Sequence, residues 1–192
     1  MAHFIFLLAV IFGLGFIIKK LWEAAEATPQ QKAKSDIEIE RKYLVDINKV
    51  PLHAAKKVSV IKQGYIAQDG GTAVRVRTSD KGSYLTTKAK TDNALTRDEV
   101  EFEISTSNAL RLLKLSKGYM IEKKRYIVTY MGQDFEVDVF EGSNSGLVLA
   151  ELELNAIDQY IALPDWIIED VSEDERYFNT YLSKHPFCTW KN

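Results

Sequence analysis

The segment at residues 36–45 reads DIEIERKYLV, and within it Glu38, Glu40 and Lys42 stand at every second position. If the segment is a strand, its two carboxylates and its ammonium share one face, because successive side chains point to opposite sides. The device recurs along the chain. Glu99, Glu101 and Glu103 are spaced by two, as are Glu136 with Asp138 and Glu151 with Glu153. Arg75 with Arg77, Lys88 with Lys90, and Lys123 with Arg125 repeat it with cations. Paired carboxylates offer hard oxygen donors suited to a divalent ion such as Mg²⁺ or Mn²⁺. Paired Arg and Lys suit a phosphate or another polyanion, with Arg supplying a two-point fork. A site that needs both sets at once is a metal–polyphosphate site. A charged sheet face turned to water is the other reading of the same pattern.

The elements that must carry these residues are mostly strands. Alternation predicts eight of them, at residues 36–45, 58–66, 72–77, 84–90, 99–104, 121–130, 135–140 and 147–154, with turn signals at Asp69-Gly70-Gly71 and at residues 79–82. Seven of the eight carry ionisable residues at spacing two, while their opposite faces are rich in Val, Ile, Leu, Phe and Tyr. An ordinary small barrel fills its interior with apolar side chains. Here the charges either face water from an open sheet or line a wet tunnel inside a closed barrel. Carboxylate pairs and cation pairs sit on separate strands, which favours a site where each set meets a partner of opposite sign. On this reading Arg75, Arg77, Lys123 and Arg125 crowd one wall, and an anion relieves their repulsion.

Four helices are expected. The clearest spans 105–117, with Ser105 or Thr106 as cap, a leucine stripe, and Gly118 as stop. Shorter ones are expected at 48–57 and 155–163. The Ser172-Glu173-Asp174-Glu175 capping box opens a fourth that runs to Lys184.

Residues 1–18 carry no charge, and Lys19, Lys20 and Trp22 follow at once. Lysines that can snorkel and an interfacial Trp extend a short apolar run, so residues 1–22 read as a transmembrane anchor. The positive charges come after the apolar run, opposite to a cleaved signal, and place the following domain on the cytoplasmic side. Residues 23–35 are a polar tether containing Pro29, and residues 36–192 form the folded domain. The net charge of −2, with 25 Lys and Arg against 27 Asp and Glu, gives no bulk attraction to nucleic acid. A single cysteine, Cys188, excludes an internal disulfide framework and a cysteine-rich zinc site. His3, His53 and His185 are scattered and make no ligand set. Nothing in the pattern speaks to oligomeric state.

The stretch Glu38 to Val45 resembles the ExExK signature of the CYTH family, the triphosphate tunnel metalloenzymes. Further segments follow in that family's order: GYI at Gly64, VRVR at Val74, LTTK at Leu85, RDEVEFEI at Arg97, EKKRY at Glu122, EVDVF at Glu136, LAELEL at Leu149 and EDERYFN at Glu173. The resemblance runs from Ile37 to about Leu182. It implies an α+β fold, an eight-stranded antiparallel β-barrel tunnel with a charged interior and helices packed outside.

The resemblance also assigns roles. Glu38, Glu40, Glu101, Glu103, Asp138, Glu151 and Glu153 are implied to hold Mg²⁺ or Mn²⁺. Lys42, Arg75, Arg77, Lys88, Lys123, Arg125 and Arg176 are implied to bind the triphosphate, with Glu38, Glu40, Lys42 and Lys123 closest to the chemistry. Glu99, Glu136 and Lys90 match less closely. The activity implied is metal-dependent hydrolysis of triphosphate compounds, inorganic triphosphate first, by a membrane-tethered enzyme. Cyclisation of ATP, hydrolysis of thiamine triphosphate, and a non-catalytic polyphosphate or nucleotide sensor are the alternatives.

Overall fold

Residues 34–93 and 95–190 are described by a computed structural model. Nine strands follow in order: β1 Lys34–Val45, β2 Lys57–Asp69, β3 Thr72–Ser79, β4 Gly82–Lys90, β5 Thr96–Ile104, β6 Lys117–Tyr130, β7 Gln133–Glu141, β8 Val148–Glu153 and β9 Ile167–Asp170. Among the described residues two α-helices accompany them, α1 Thr106–Leu113 and α2 Asn179–Leu182. The strands run β5-β4-β3-β2-β6-β7-β8-β1-β9, and a further β5–β1 pairing closes the first eight into a barrel. Every pairing is antiparallel.

Strand β1 has the most demanding position. Its first half pairs with β5 from Lys34 to Ile39, and its second half with β8 from Glu40 to Leu44. Glu40 N donates to Leu95 O, and Val171 N donates to Lys42 O. Residues two apart present their backbone groups to the same edge. β5 and β9 therefore share one edge of β1, while β8 takes the other.

The two faces of the sheet divide the chemistry. Outward residues of β1, β7 and β8 (Tyr43, Val45, Phe135, Val137, Ala150, Leu152) pack with Val50 and Trp166. Phe135 and Trp166 meet edge to face with ring centres 5.2 Å apart, a favoured aromatic arrangement. A second outer cluster seats Ala109 and Leu113 of α1 on Val76 of β3. The barrel thus keeps its main apolar packing outside, which leaves its interior for polar work. Tight hairpins make the closure possible. Asp69 pairs with Thr72 around Gly70 and Gly71, whose φ values of +54° and +84° fit a two-residue turn that follows the strands' twist.

Besides the added strand β9, the secondary structure departs from the sequence expectation in four places. Within the helix expected at 48–57, residues 48–56 form turns and a short 3-10 helix, Leu52–Ala54, because Pro51 cannot donate within a longer helix, and Lys57 already starts β2. Residues 155–163 form turns and loop; Asn155 N bonds the Gln159 side chain, and Pro164 follows. The C-terminal helix is broken into the 3-10 turn Glu175–Tyr177 and α2, with Phe178 extended between them. Ser172 does not cap it: its hydroxyl accepts from Lys42 N at 2.9 Å, and Asp174 caps the short turn. Helix α1 starts as expected, Ser105 accepting from Asn108 N, but ends at Leu113. Gly118 lies inside β6.

Lys34 and Ser35, expected in the tether, already belong to β1. The anchor expected at residues 1–22 and the rest of the tether lie outside the described residues. Among the described residues no helix is long and apolar enough to cross a membrane.

Candidate active site

The barrel encloses a cavity of about 780 Å³ whose lining includes nine cationic and seven anionic side chains. Both signs are therefore abundant, and what matters is how they meet. Register gives the answer: cations on one strand stand beside carboxylates on the next.

On one wall Arg125 of β6 faces Asp138 of β7, and Lys42 of β1 faces Glu151 of β8. Arg125 grips Asp138 with two bonds, Nε to Oδ1 at 2.7 Å and Nη2 to Oδ2 at 2.6 Å. It also reaches Glu136 and Glu151. Lys123 pairs with Asp138, and Lys42 with Glu151. Lys42 and Lys123 are only 3% and 2% exposed, so these are buried charges that need their partners. On the opposite wall, Arg75 Nη2 donates to Thr86 Oγ1 at 3.2 Å and lies 3.5 Å from Glu101. Arg77 meets Glu101 at 3.2 Å, and Lys88 contacts Glu38 and, at 2.7 Å, Glu99. Arg75 Nε is buried with no acceptor among the described residues, which leaves one donor unmet beside the cavity.

Burial and neighbours pull the titrating groups in different directions. Burial opposes the charge on Glu151, but Lys42, Lys123 and Arg125 overcome it and hold its pKa well below the usual carboxylate range. Burial likewise opposes the Lys42 ammonium, and Glu151 with Glu40 more than restores it. Lys123 goes the other way: burial, then Arg125, lower its pKa, and Asp138 offsets this only in part. Burial and then Arg75 lower Arg77 too. Between the walls, burial pushes the Tyr65 phenol up to about 12. Its oxygen accepts from Gln63 Nε2 at 3.3 Å.

The sequence pictured Arg75, Arg77, Lys123 and Arg125 as crowding one wall unrelieved. That picture is corrected: β2 separates the two pairs, and each faces carboxylates across its own strand pairing. What remains of the repulsion acts within each pair, Arg75 on Arg77 and Arg125 on Lys123.

Most of the sequence-assigned residues meet in this cavity. Glu38, Glu40, Lys42, Arg75, Arg77, Lys88, Glu101, Lys123, Arg125, Glu151 and Glu153 all line it, and so do Glu99, Glu136 and Lys90. Three do not. Asp138 is fully buried behind Lys123 and Arg125, which occupy both its oxygens. Glu103 is exposed and outside the lining. Arg176 is exposed on the C-terminal turn, paired with Asp174 and lying over Tyr177 and Trp190. Sequence reasoning passed over Gln63, Tyr65, Arg97 and Asn179, which line the cavity too. For Gln63 and Tyr65 the signal was the same spacing of two, hidden because neither carries a charge at neutral pH.

A divalent ion is implied by the family resemblance, and the carboxylates offer a partial fit. Glu40 and Glu153 are directly paired across β1 and β8, a like-charge juxtaposition that costs stability on its own. The Glu153 carboxylate has no hydrogen bond or ion pair among the described residues, while Glu38, two residues from Glu40, is tied to Lys88. Among the described residues no three acidic, His or Cys side chains stand close enough to hold a metal by themselves. The oxygen chemistry fits, while Glu38 is engaged by its lysine.

The CYTH domain model matches residues 36–183. An inorganic triphosphatase of Acetivibrio thermocellus is 39% identical over 155 residues, covering 80% of this chain and 97% of that protein. One from Nitrosomonas europaea is 34% identical over 155 residues, covering 76% of this chain and 96% of its own. The crystal structure of an inorganic triphosphatase superposes with a TM-score of 0.57 at 32% identity, over 76% of this chain and 93% of that one. The match takes in every strand from Asp36 onward and nearly the whole length of these relatives: the chain belongs to the CYTH domain family.

Proposed function

We propose that this chain is a divalent-metal-dependent hydrolase of triphosphate compounds, with inorganic triphosphate its foremost substrate. The overall step consumes one water and breaks one phosphoanhydride P–O bond, giving pyrophosphate and orthophosphate. One observation carries the reading. Six cations (Lys42, Arg75, Arg77, Lys88, Lys123 and Arg125) converge inside a closed barrel, each held by a carboxylate that an entering polyanion can displace. The relatives that share the fold at 39% and 34% identity are inorganic triphosphatases, which supports the same substrate class.

The chain's residues divide the work. Arg75, with its unmet Nε, and Arg77 offer directional donors to phosphoryl oxygens, and the buried ammonium of Lys123 offers a compact charge. Held in place beforehand, such groups offset the charge that develops as phosphoryl transfer proceeds. Glu38, Glu40 and Glu153 would hold Mg²⁺ or Mn²⁺, a reading supported by their shared face of the cavity and by the pairing of Glu40 with Glu153. Such an ion would neutralise phosphoryl oxygens and activate water for attack. The Tyr65 hydroxyl, which accepts from Gln63, keeps its own proton for donation into the cavity.

The test is a panel of triphosphates with Mg²⁺ or Mn²⁺, scoring free phosphate and cyclic AMP together. Chelation with EDTA should abolish turnover reversibly. Glu40→Gln should lower turnover by at least about tenfold, roughly 1.4 kcal/mol of transition-state stabilisation. Full activity in EDTA would overturn the metal dependence, and an unaffected Glu40→Gln protein would remove Glu40 from the site. We also propose that residues 1–22 tether the domain to a membrane with Lys19 and Lys20 on the cytoplasmic side, a reading supported by the sequence pattern of the apolar run and its flanking charges.

A further inference from the structure

At one end of the barrel five strands turn apolar rather than charged residues inward. Alternation puts Leu44, Ala73, Ile121, Phe140 and Leu149 on the inward face, each two residues beyond a charged position of its strand. These five cluster with Val171 and Leu182 of the C-terminal segment. The barrel is therefore sealed at this end by apolar contact, and the segment that seals it turns Phe178, Asn179 and Thr180 toward the cavity.

The seal is fastened at several points. Tyr119 N donates to Ser183 O at 2.7 Å, Gln68 Nε2 to Ser183 Oγ at 2.9 Å, and Phe187 N to Asn144 Oδ1 at 2.8 Å. Gly118, at φ +77°, lets the segment come close: a Cβ there would stand 2.3 Å from Ser183 O. Lys90 pairs with Glu175 just before the cavity-facing residues. Beside them the cation row continues. Lys90 and Arg97 are register partners across β4 and β5, both line the cavity, and the Arg97 guanidinium lies 5.2 Å over the Phe178 ring.

A linear polyanion lying along Lys88 would be drawn on toward Lys90 and Arg97 and would then meet a wall. We propose that Phe178, Asn179 and Thr180 are a length stop that limits the linear polyphosphates this site accepts to short chains. The inference rests on the triphosphate reading above and adds to it the residues that set chain length. The physical logic is exclusion: cations alone would reward every added phosphate, so discrimination against longer chains needs a steric element. The anhydride bond cleaved and the water consumed are the same for every chain length; only admission differs.

The test compares inorganic triphosphate with linear tetraphosphate and long-chain polyphosphate on the full chain. The parent should show a kcat/KM for tetraphosphate at least about tenfold below that for triphosphate. In Phe178→Ala that ratio should rise by at least about tenfold, and long-chain polyphosphate should gain activity as well. Asn179→Ala and Thr180→Ala, which remove less packing, should shift the ratio in the same direction and carry the test if Phe178→Ala does not fold. Ligand-induced rises in melting temperature, measured in EDTA, repeat the comparison without turnover. Loss of the hydrolase reading would thus leave the length comparison intact. A parent that takes tetraphosphate as well as triphosphate by both measures, or variants with an unchanged ratio, would overturn the length stop.

Discussion

Glu151 is the residue on which the ion-pair lattice of the cavity can be tested most sharply. It is 8% exposed and holds both Lys42 and Arg125, so Glu151→Gln removes one charge at the junction of two buried cations while keeping the side chain's shape. Breaking a buried pair by removing one partner costs about 3 to 5 kcal/mol. Here the orphaned cations keep other partners: Lys42 has Glu40 at 3.7 Å, and Arg125 has Asp138 and Glu136. The expected cost at neutral pH is therefore lower, about 2 to 3 kcal/mol, which for a domain of this size is a fall of about 4 to 12 °C in melting temperature. The pH dependence fixes the cause. The folded-state pKa of Glu151 is depressed well below its ordinary value of 4.5, so the stability it contributes is complete above that value. It is lost as pH falls toward the depressed folded pKa. The gap between parent and variant should be full at neutral pH and should narrow below pH 4.5. In EDTA, triphosphate should raise the variant's melting temperature more than the parent's, because the anion no longer competes with Glu151 for Lys42 and Arg125. Thermal melts of both proteins across pH, with and without triphosphate, make the measurement. A gap below about 1 kcal/mol, or one that stays flat as the carboxylates protonate, would refute the reasoning.

Two further outcomes are expected. Burial and Arg125 lower the pKa of Lys123, so its ammonium is lost at a lower pH than an exposed lysine's. KM for triphosphate should begin to rise correspondingly early on the alkaline side, and Lys123→Met should raise KM at neutral pH while flattening that limb; a limb unchanged in the variant would acquit Lys123. For the proposed membrane tether, protease should reach the domain only after the cytoplasmic side of native membranes is opened, and digestion from the outer side would reverse the assignment.

The barrel was legible in the sequence because its interior is charged: a period of two is easiest to see when one phase carries Glu, Arg and Lys. Arg75 and Arg77, or Glu151 and Glu153, declare their face without any structure. What the sequence could not declare was partnership across strands. That Asp138 disappears behind Lys123 and Arg125, while Glu153 stands opposite Glu40 across β1 and β8, depends on register and depth, which spacing along one strand does not encode. The neutral members of the lining, Gln63 and Tyr65, were hidden for want of charge. The C-terminal region was misread for a different reason. Ser172 and Glu175 have the chemistry of a capping box, but tertiary contacts claim both: Ser172 serves the backbone of Lys42, and Glu175 pairs with Lys90. Local helix signals give way when a strand or a cavity offers the same groups a better use.

The position of β1 bears on how the chain comes to be folded. Lys42 meets Glu151 across 109 residues and Ser172 across 130. Pairings this distant carry a loop-closure cost before they return any stability, and they slow folding. During synthesis β1 emerges ahead of all its partners. The hairpins from β2 through β5, and β6 with β7, can zip locally, whereas β1 must wait for β8 and β9 before its second half has neighbours. For that interval it is an unpaired edge, the kind of segment that recruits other chains. Glu40 and Lys42 put charges at alternate positions of that half, which opposes such pairing. The residues that line the finished cavity thus act first as guardians of the nascent chain.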